Sequence, residues 1–275
     1  MAESRKKTSN SNPGRPGPAR AAGTQAIQRA SLLMRLIASR SRAGLRLADV
    51  VKHSRLEHAT AHRILKGLMA EGLVMQAVDS RRYFLGPLVF ELGLAAAPQF
   101  NLSDICRPSL TRIADKTGDT VFLTVRSDHD SVCIDRREGS FPIKTFTLDV
   151  GARRPLGVGA GGMALVMLLP DDEVEEIVSV NAGRLSAYHN LDAPALLKAL
   201  GRSRKLGYAL NDIHDTTGVT TLSLPVVNRY GRPFAAISVG AISSRMTNGR
   251  QKELVALLRA EIVLVEKAIS ETTQR

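Results

Sequence analysis

The chain has 275 residues, 44% of them hydrophobic and 23% charged, with a formal net charge of +12. That length predicts two domains, and with no apolar run near the ~18 residues a bilayer requires, a helical membrane protein is excluded. Two cysteines, Cys106 and Cys133, are too few for a disulfide framework and lack zinc-site spacing, and no export signal follows the basic start, so a reducing cytoplasm is expected.

Residues 1–23 are rich in Ser, Asn, Pro, Gly and Arg and read as a disordered basic arm. From Thr24, a candidate N-cap, Ile27, Ala30, Leu33, Met34 and Ile37 recur at three- and four-residue steps, the stripe of an amphipathic helix. A second short helix over 47–53 turns Leu47, Val50 and Val51 toward the same core. A third over 57–71 stops at Gly72. LVMQAVDSRRYFLG then reads as a β-hairpin turning at Asp79-Ser80. Three short helices and a hairpin make a winged helix-turn-helix over 24–86, with the hairpin as its wing. An apolar linker helix is expected within 87–100, and the domain boundary near Pro98.

The charge supports a nucleic-acid partner for this part. Residues 1–100 hold 16 Lys and Arg against 6 Asp and Glu, whereas residues 101–275 hold 22 against 20. Clustered cations neutralise phosphates and release counterions. On the third helix Ala61, Ile64, Leu65 and Leu68 share one face. Ala59, Arg63, Lys66 and Ala70 lie opposite, with His58, Thr60 and His62 on the flanks. Small, hydroxyl, imidazole and guanidinium groups on an outward face suit the major groove. Lys52, Arg55, Arg81 and Arg82 fall where phosphates would pass. His58 and His62 also have the spacing of a metal pair, but no third ligand accompanies them, so no metal is assigned.

Residues 101–275 read as a second, α+β domain. A helix over 103–116, with Ser103 as N-cap, should stop at Gly118, and Cys106 should be buried on its face. TVFLTV, SVCIDR and IKTFTL read as strands. Helices follow over 159–169, 171–180 and 193–205, then the strands TTLSLPVV and FAAISVGAI, then a long helix over 249–270. The result is a central antiparallel sheet flanked by helices. Gly157-Val-Gly-Ala-Gly-Gly162 satisfies G-x-G-x-x-G, but Ala152-Arg-Arg-Pro-Leu156 before it is no buried apolar strand, so no dinucleotide cofactor is assigned. The glycines still open a helix whose free N–H groups can hold a carboxylate. No catalytic grouping appears. The alternative to a regulator is a small-acid-binding enzyme with a basic accessory domain.

From Thr24 to about Ser270 the chain resembles the isocitrate lyase regulator (IclR) family of bacterial transcription factors. The resemblance is carried by ASLLMRLIA, LRLADVV, LEHATAHRILKGLMAEGLV and RRYFLGP in the first half. In the second it is carried by RRPLGVGAGGMALV, LGYALND, GVTTLSLPVV and GRPFAAISVGAISSRM. Where that family commonly shows Pro-x-Ser-Thr, this chain has Glu57, His58, Ala59 and Thr60. The resemblance implies a ligand-responsive regulator of a metabolic or catabolic operon, binding double-stranded DNA as a homodimer or homotetramer. It implies a GAF-like effector domain taking a small organic or aromatic acid, with Gly159 and Ala160 as main-chain donors. Asn211 or Asp212, Thr221, Ser238 and Gly240 would line the pocket.

Overall fold

The computed structural model describes residues 24–40, 43–96, 102–188, 191–211 and 218–273. The expected basic arm, the boundary at Pro98 and Asp212 lie outside them.

Helices α1 (Gln25–Ala38), α2 (Leu47–Ser54) and α3 (His58–Ala70) precede the hairpin of β1 (Val74–Gln76) and β2 (Tyr83–Leu85). The predicted stripes meet in one core of Leu33, Ile37, Val50, Ala61, Leu65 and Leu68. The hairpin closes that core with Val74 and Tyr83. Tyr83 pairs with Gln76 across the hairpin and with Leu45 on its other side, which fixes the wing against the segment before α2. Gly72 ends α3 as expected, at φ +68°, a left-handed conformation that glycine adopts without strain. Thr24 stands at the N-cap of α1 without capping it. Its hydroxyl instead accepts from the Gln28 side chain at 3.3 Å. Helix α4 (Pro87–Ala96) follows.

The second domain begins with α5 (Leu102–Thr117) and continues through β3 (Thr120–Ser127), β4 (Asp130–Glu138), β5 (Arg153–Pro155) and α6 (Gly159–Val166). After α7 (Asp171–Leu185) and α8 (Ala193–Leu206) come β6 (Ala209–Asn211), β7 (Val219–Val227), β8 (Pro233–Ile242) and α9 (Asn248–Thr273). The strands form one antiparallel sheet in the order β5-β4-β3-β8-β7-β6. Alternation along each strand sends its side chains to opposite faces. Val121, Leu123, Leu222, Leu224, Ile237 and Val239 pack beneath α5 and α9, with Cys106 buried among them. The other face carries Phe122, Thr124, Thr221 and Ser238 toward α6.

Three sequence expectations need correction. Ser103 lies inside α5, and its hydroxyl donates to Asp135 at 2.8 Å, a partner no local pattern could reveal. IKTFTL is not a strand but a loop over the sheet. The Thr145 amide donates to Thr120 Oγ1 at 3.3 Å and its hydroxyl to the Gly240 carbonyl at 2.9 Å, while β5 occupies the place beside β4. Helix α7 runs past residue 180 to Leu185, because buried Asn181 donates to the His129 carbonyl at 2.8 Å and Leu185 fills the core below α8.

Helices α5 and α9 are also joined by charge. Arg112 Nη2 lies 2.7 Å from Glu261 Oε2, and Arg112 Nε donates to both carboxylate oxygens at 3.1 Å. Glu261 is buried, and hydrogen bonding from Arg112 holds its carboxyl below the ordinary glutamate value, with burial opposing. A carboxyl depressed in the folded state contributes stability above its unfolded pKa and loses it as pH falls through the folded one. The melting temperature is therefore expected to fall as pH drops below the ordinary glutamate value of about 4.3. Glu261→Gln should flatten that limb in scanning calorimetry. An unchanged slope would show that the pair contributes nothing in acid.

Candidate functional site

On α3 the core-facing residues Ala61, Leu65 and Leu68 are buried, and His58, Ala59, Arg63, Lys66 and Ala70 are exposed on the other side. Thr60 and His62 are half-buried at its margins, and the His58 and His62 rings stack 6.5 Å apart. Among the described residues no cluster of three or more metal-ligating side chains exists. Lys52 lies exposed in the last turn of α2, and Arg55 caps that helix at φ +57°. All these groups belong to one small fold, so a polar, cationic face stands clear of the core.

The two wing arginines differ. Arg81 is exposed at φ +54°, and its carbonyl accepts from Gln76 Nε2 at 2.9 Å, which fixes the turn. Arg82 is half-buried and donates to the carbonyls of Ala43 and Gly44 at 3.2 and 3.0 Å, anchoring the wing to the loop before α2. Arg82 thus has a structural task that its place beside Arg81 did not reveal. Arg46, which no local motif marks, lines a groove with His62, Ser80 and Arg81 between α2, α3 and the wing.

In the second domain the expected ligand residues converge. Gly159, Ala160, Asn211, Thr221 and Ser238 line one narrow cleft, partly open to solvent. Gly240 does not line it: its carbonyl accepts from Thr145, and a methyl added there would lie 2.9 Å from Thr145 Oγ1. Phe122, Thr124, Ser131 and Arg154 also line the cleft, and none of them was among the expected ligand residues. Val158, the N-cap of α6, spends its amide on the Pro155 carbonyl. The first-turn amides of Gly159, Ala160 and Gly161 have no intrahelical acceptor, and no side chain caps the helix. Arg154 donates to the Thr147 carbonyl through Nη2 at 2.6 Å. Its Nη1 lies 3.4 Å from where a Gly159 side chain would begin, so guanidinium and helix start share one end of the cleft.

The hydroxyls there are not equivalent. Ser238 donates to Ser223 Oγ at 2.9 Å, and Ser223 donates onward to the Ile237 carbonyl at 3.1 Å, so the Ser238 proton points into the sheet. Thr124 is 2% exposed, and its Oγ1 is buried with no hydrogen-bond partner. A methyl on Gly161 would lie 3.0 Å from that oxygen, which places it against the first turn of α6. Thr124 thus holds a free donor beside two sources of positive potential, an arrangement suited to an anion.

A buried hydroxyl left unpaired costs stability, which a ligand bonded to it would restore. Thr124→Val, nearly isosteric, should therefore raise stability by about 1 kcal/mol and weaken acid binding by about 1.5 kcal/mol, roughly tenfold. Thermal melts and calorimetry would read the two effects. A variant that loses stability would show the hydroxyl to be structural.

The wholly antiparallel sheet, with β5 leading into α6 from its edge, rules out the dinucleotide reading of Gly157–Gly162. A family model for the IclR helix-turn-helix domain matches residues 26–77, and one for the C-terminal part of the bacterial transcriptional regulator IclR matches 94–263. The chain belongs to the IclR family. The transcriptional repressor AllR of Salmonella typhi is 30% identical over 250 residues, covering 88% of this chain and 91% of that protein. The transcriptional repressor IclR of Escherichia coli K12 is 26% identical over 237 residues, 85% and 86% of the two chains. The fold matches the crystal structure of an IclR homolog from Microbacterium hydrocarbonoxydans complexed with 4-hydroxybenzoate. The TM-score is 0.66 at 19% identity, over 90% of this chain and 100% of that one. This IclR-family protein is a DNA-binding transcriptional regulator and not an enzyme. Among the described residues no helix is long and apolar enough to cross a membrane.

Proposed function

We propose that this IclR-family regulator is a cytoplasmic repressor of a metabolic or catabolic operon that responds to a small organic acid bound beneath α6. The reading divides the chain into a DNA-binding head over 24–86, a linker helix over 87–100 and an effector domain over 101–275. The observation that carries it is the unpartnered Thr124 hydroxyl beside the open start of α6 and Arg154. Two relatives being repressors, and an IclR homolog holding an aromatic acid, support the same reading. The head would place α3 in the major groove, with Arg63, Lys66, His58, Ala59, Thr60 and His62 toward the bases. Lys52, Arg55 and Arg81 would hold phosphates.

One such helix reads only a few base pairs, so a symmetric pair of heads is part of the proposal. Phe90, Leu92 and Leu94 on α4 are each more than half exposed, and no residue of that helix is buried. An apolar helix in that state fits a homodimer or homotetramer contact. The test is footprinting on DNA flanking the coding region, repeated with candidate acids. A protected site that opens with one acid supports the proposal. Protection indifferent to every acid, with no acid binding by calorimetry, would overturn the effector half.

A further inference from the structure

We infer that the last turn of α7 is a docking surface for Arg55, so that the effector domain holds the head by a guanidinium the head also needs for operator phosphates. This rests on the assignment of Arg55 to phosphates above. Arg55 is the C-cap of α2, at φ +57°. Glycine takes that left-handed conformation without strain and arginine does not, so the turn carries a long cation where glycine would be easier to fold. The side chain reaches the second domain. A methyl added to Gly183, in the last turn of α7, would lie 3.6 Å from Arg55 Nη2, an ordinary van der Waals distance, and would meet no other described atom within 4 Å beyond its own helix backbone.

The chemistry of that turn suits a cation. The last carbonyls of a helix lack intrahelical donors and give its end a negative potential. Arg184, the cation of the turn itself, is already answered: its Nη1 lies 2.7 Å from Asp130 Oδ1 and donates to Asn181 Oδ1 at 3.0 Å. Arg55 makes no hydrogen bond or ion pair among the described residues and stays exposed, so its hold on α7 is loose enough for a phosphate to displace.

The same turn is tied to the walls of the effector cleft. Asn181 donates to the His129 carbonyl at 2.8 Å, and Asp130, the partner of Arg184, also pairs with Arg153 at 3.1 Å. Ser131 and Arg154, the next residues on β4 and β5, lie opposite each other in the ladder and line the cleft. The surface that takes Arg55 and the cleft beneath α6 therefore hang from one strand pair. Phosphate and α7 compete for a single guanidinium, and DNA binding releases the dock.

Full-length protein carrying Arg55→Lys and Gly183→Asp is treated with a carbodiimide, which joins a carboxylate to an amine only where the two touch. A cross-link between α2 and α7 within one chain is expected by peptide mass, and a random-sequence duplex of about 40 base pairs at low salt should suppress it. Gly183→Asp alone should bind that duplex about twofold to fivefold more weakly, the reach of an exposed ion pair that retains Arg55, whereas Gly183→Asn should not. In an Arg55→Ala background Gly183→Asp should cause no further loss. Gly183 is exposed, and a side chain there meets Arg55 and not the core, so these variants keep the fold. No cross-link, a cross-link indifferent to DNA, or an equal loss in both backgrounds overturns the inference, and weaker binding by Arg55→Ala then leaves the phosphate assignment standing. Arg55→Ala without effect on DNA binding overturns both.

Discussion

Arg63→Ala is expected to weaken binding to the specific operator by about 1–3 kcal/mol, roughly fivefold to a hundredfold, with a much smaller loss on random DNA. Ala61, Leu65 and Leu68 bury one side of α3, so Arg63 is held outward by the packing of its own helix. A guanidinium there can bond two acceptors on a guanine edge, which random sequence rarely presents in register. Arg81→Ala should behave differently, lowering affinity for cognate and random DNA alike and making the salt slope shallower by about one unit. Arg82→Ala should instead lower the melting temperature of the head, because its guanidinium ties the wing to Ala43 and Gly44. Mobility shifts on both DNAs at several salt concentrations, beside melts, separate the three roles. Equal losses on both DNAs for Arg63→Ala would move it to the phosphates.

The head was almost fully legible in the sequence because its determinants are local. The 3.6-residue spacing of Ala61, Leu65 and Leu68 and the stop at Gly72 act over a few residues, and the structure reproduces them. The glycines before α6 were legible for the same reason. Their unusual density marked a close-packed helix start, although the same letters first suggested a dinucleotide fold.

The rest of the cleft was hidden because sheet register assembles it. Thr124 and Ser238 lie more than a hundred positions apart and meet only because β3 and β8 pair with Phe122 opposite Ser238. Arg153 and Arg154 are adjacent and chemically identical. Arg153 pairs with Asp130 at 3.1 Å on one side of β5, and Arg154 enters the cleft on the other. Nothing in the sequence decides which does which until β5 is seen at the sheet edge. The same nonlocality explains Ser103, whose partner Asp135 sits on another element, and the loop mistaken for a strand. In that loop it is polar Thr145 that is buried and bonded to the sheet, while Ile143 and Phe146 are exposed, so its hydrophobic letters did not mark a buried strand face.

Ala160→Asp is expected to reduce acid binding at least a hundredfold while leaving DNA affinity without acid within about twofold, if the start of α6 is the anion site. Ala160 is 3% exposed, lines the cleft and is the second residue of α6, where three amides lack intrahelical acceptors and no side chain caps them. An aspartate there adds volume and a charge of the same sign as the ligand, and its own carboxylate competes for those amides. Gly161→Ala supplies bulk without charge, since its methyl would lie 3.0 Å from Thr124 Oγ1 and 3.3 Å from Ser238 Oγ. A moderate loss for Gly161→Ala beside a near-complete one for Ala160→Asp would assign most of the effect to electrostatics. Calorimetry with the responsive acid, run beside operator binding in its absence, reads both halves. Retained acid binding in Ala160→Asp would move the carboxylate away from α6. Loss of operator binding would show that the segment from Gly157 to Gly162 holds the fold together and does not merely sense the acid.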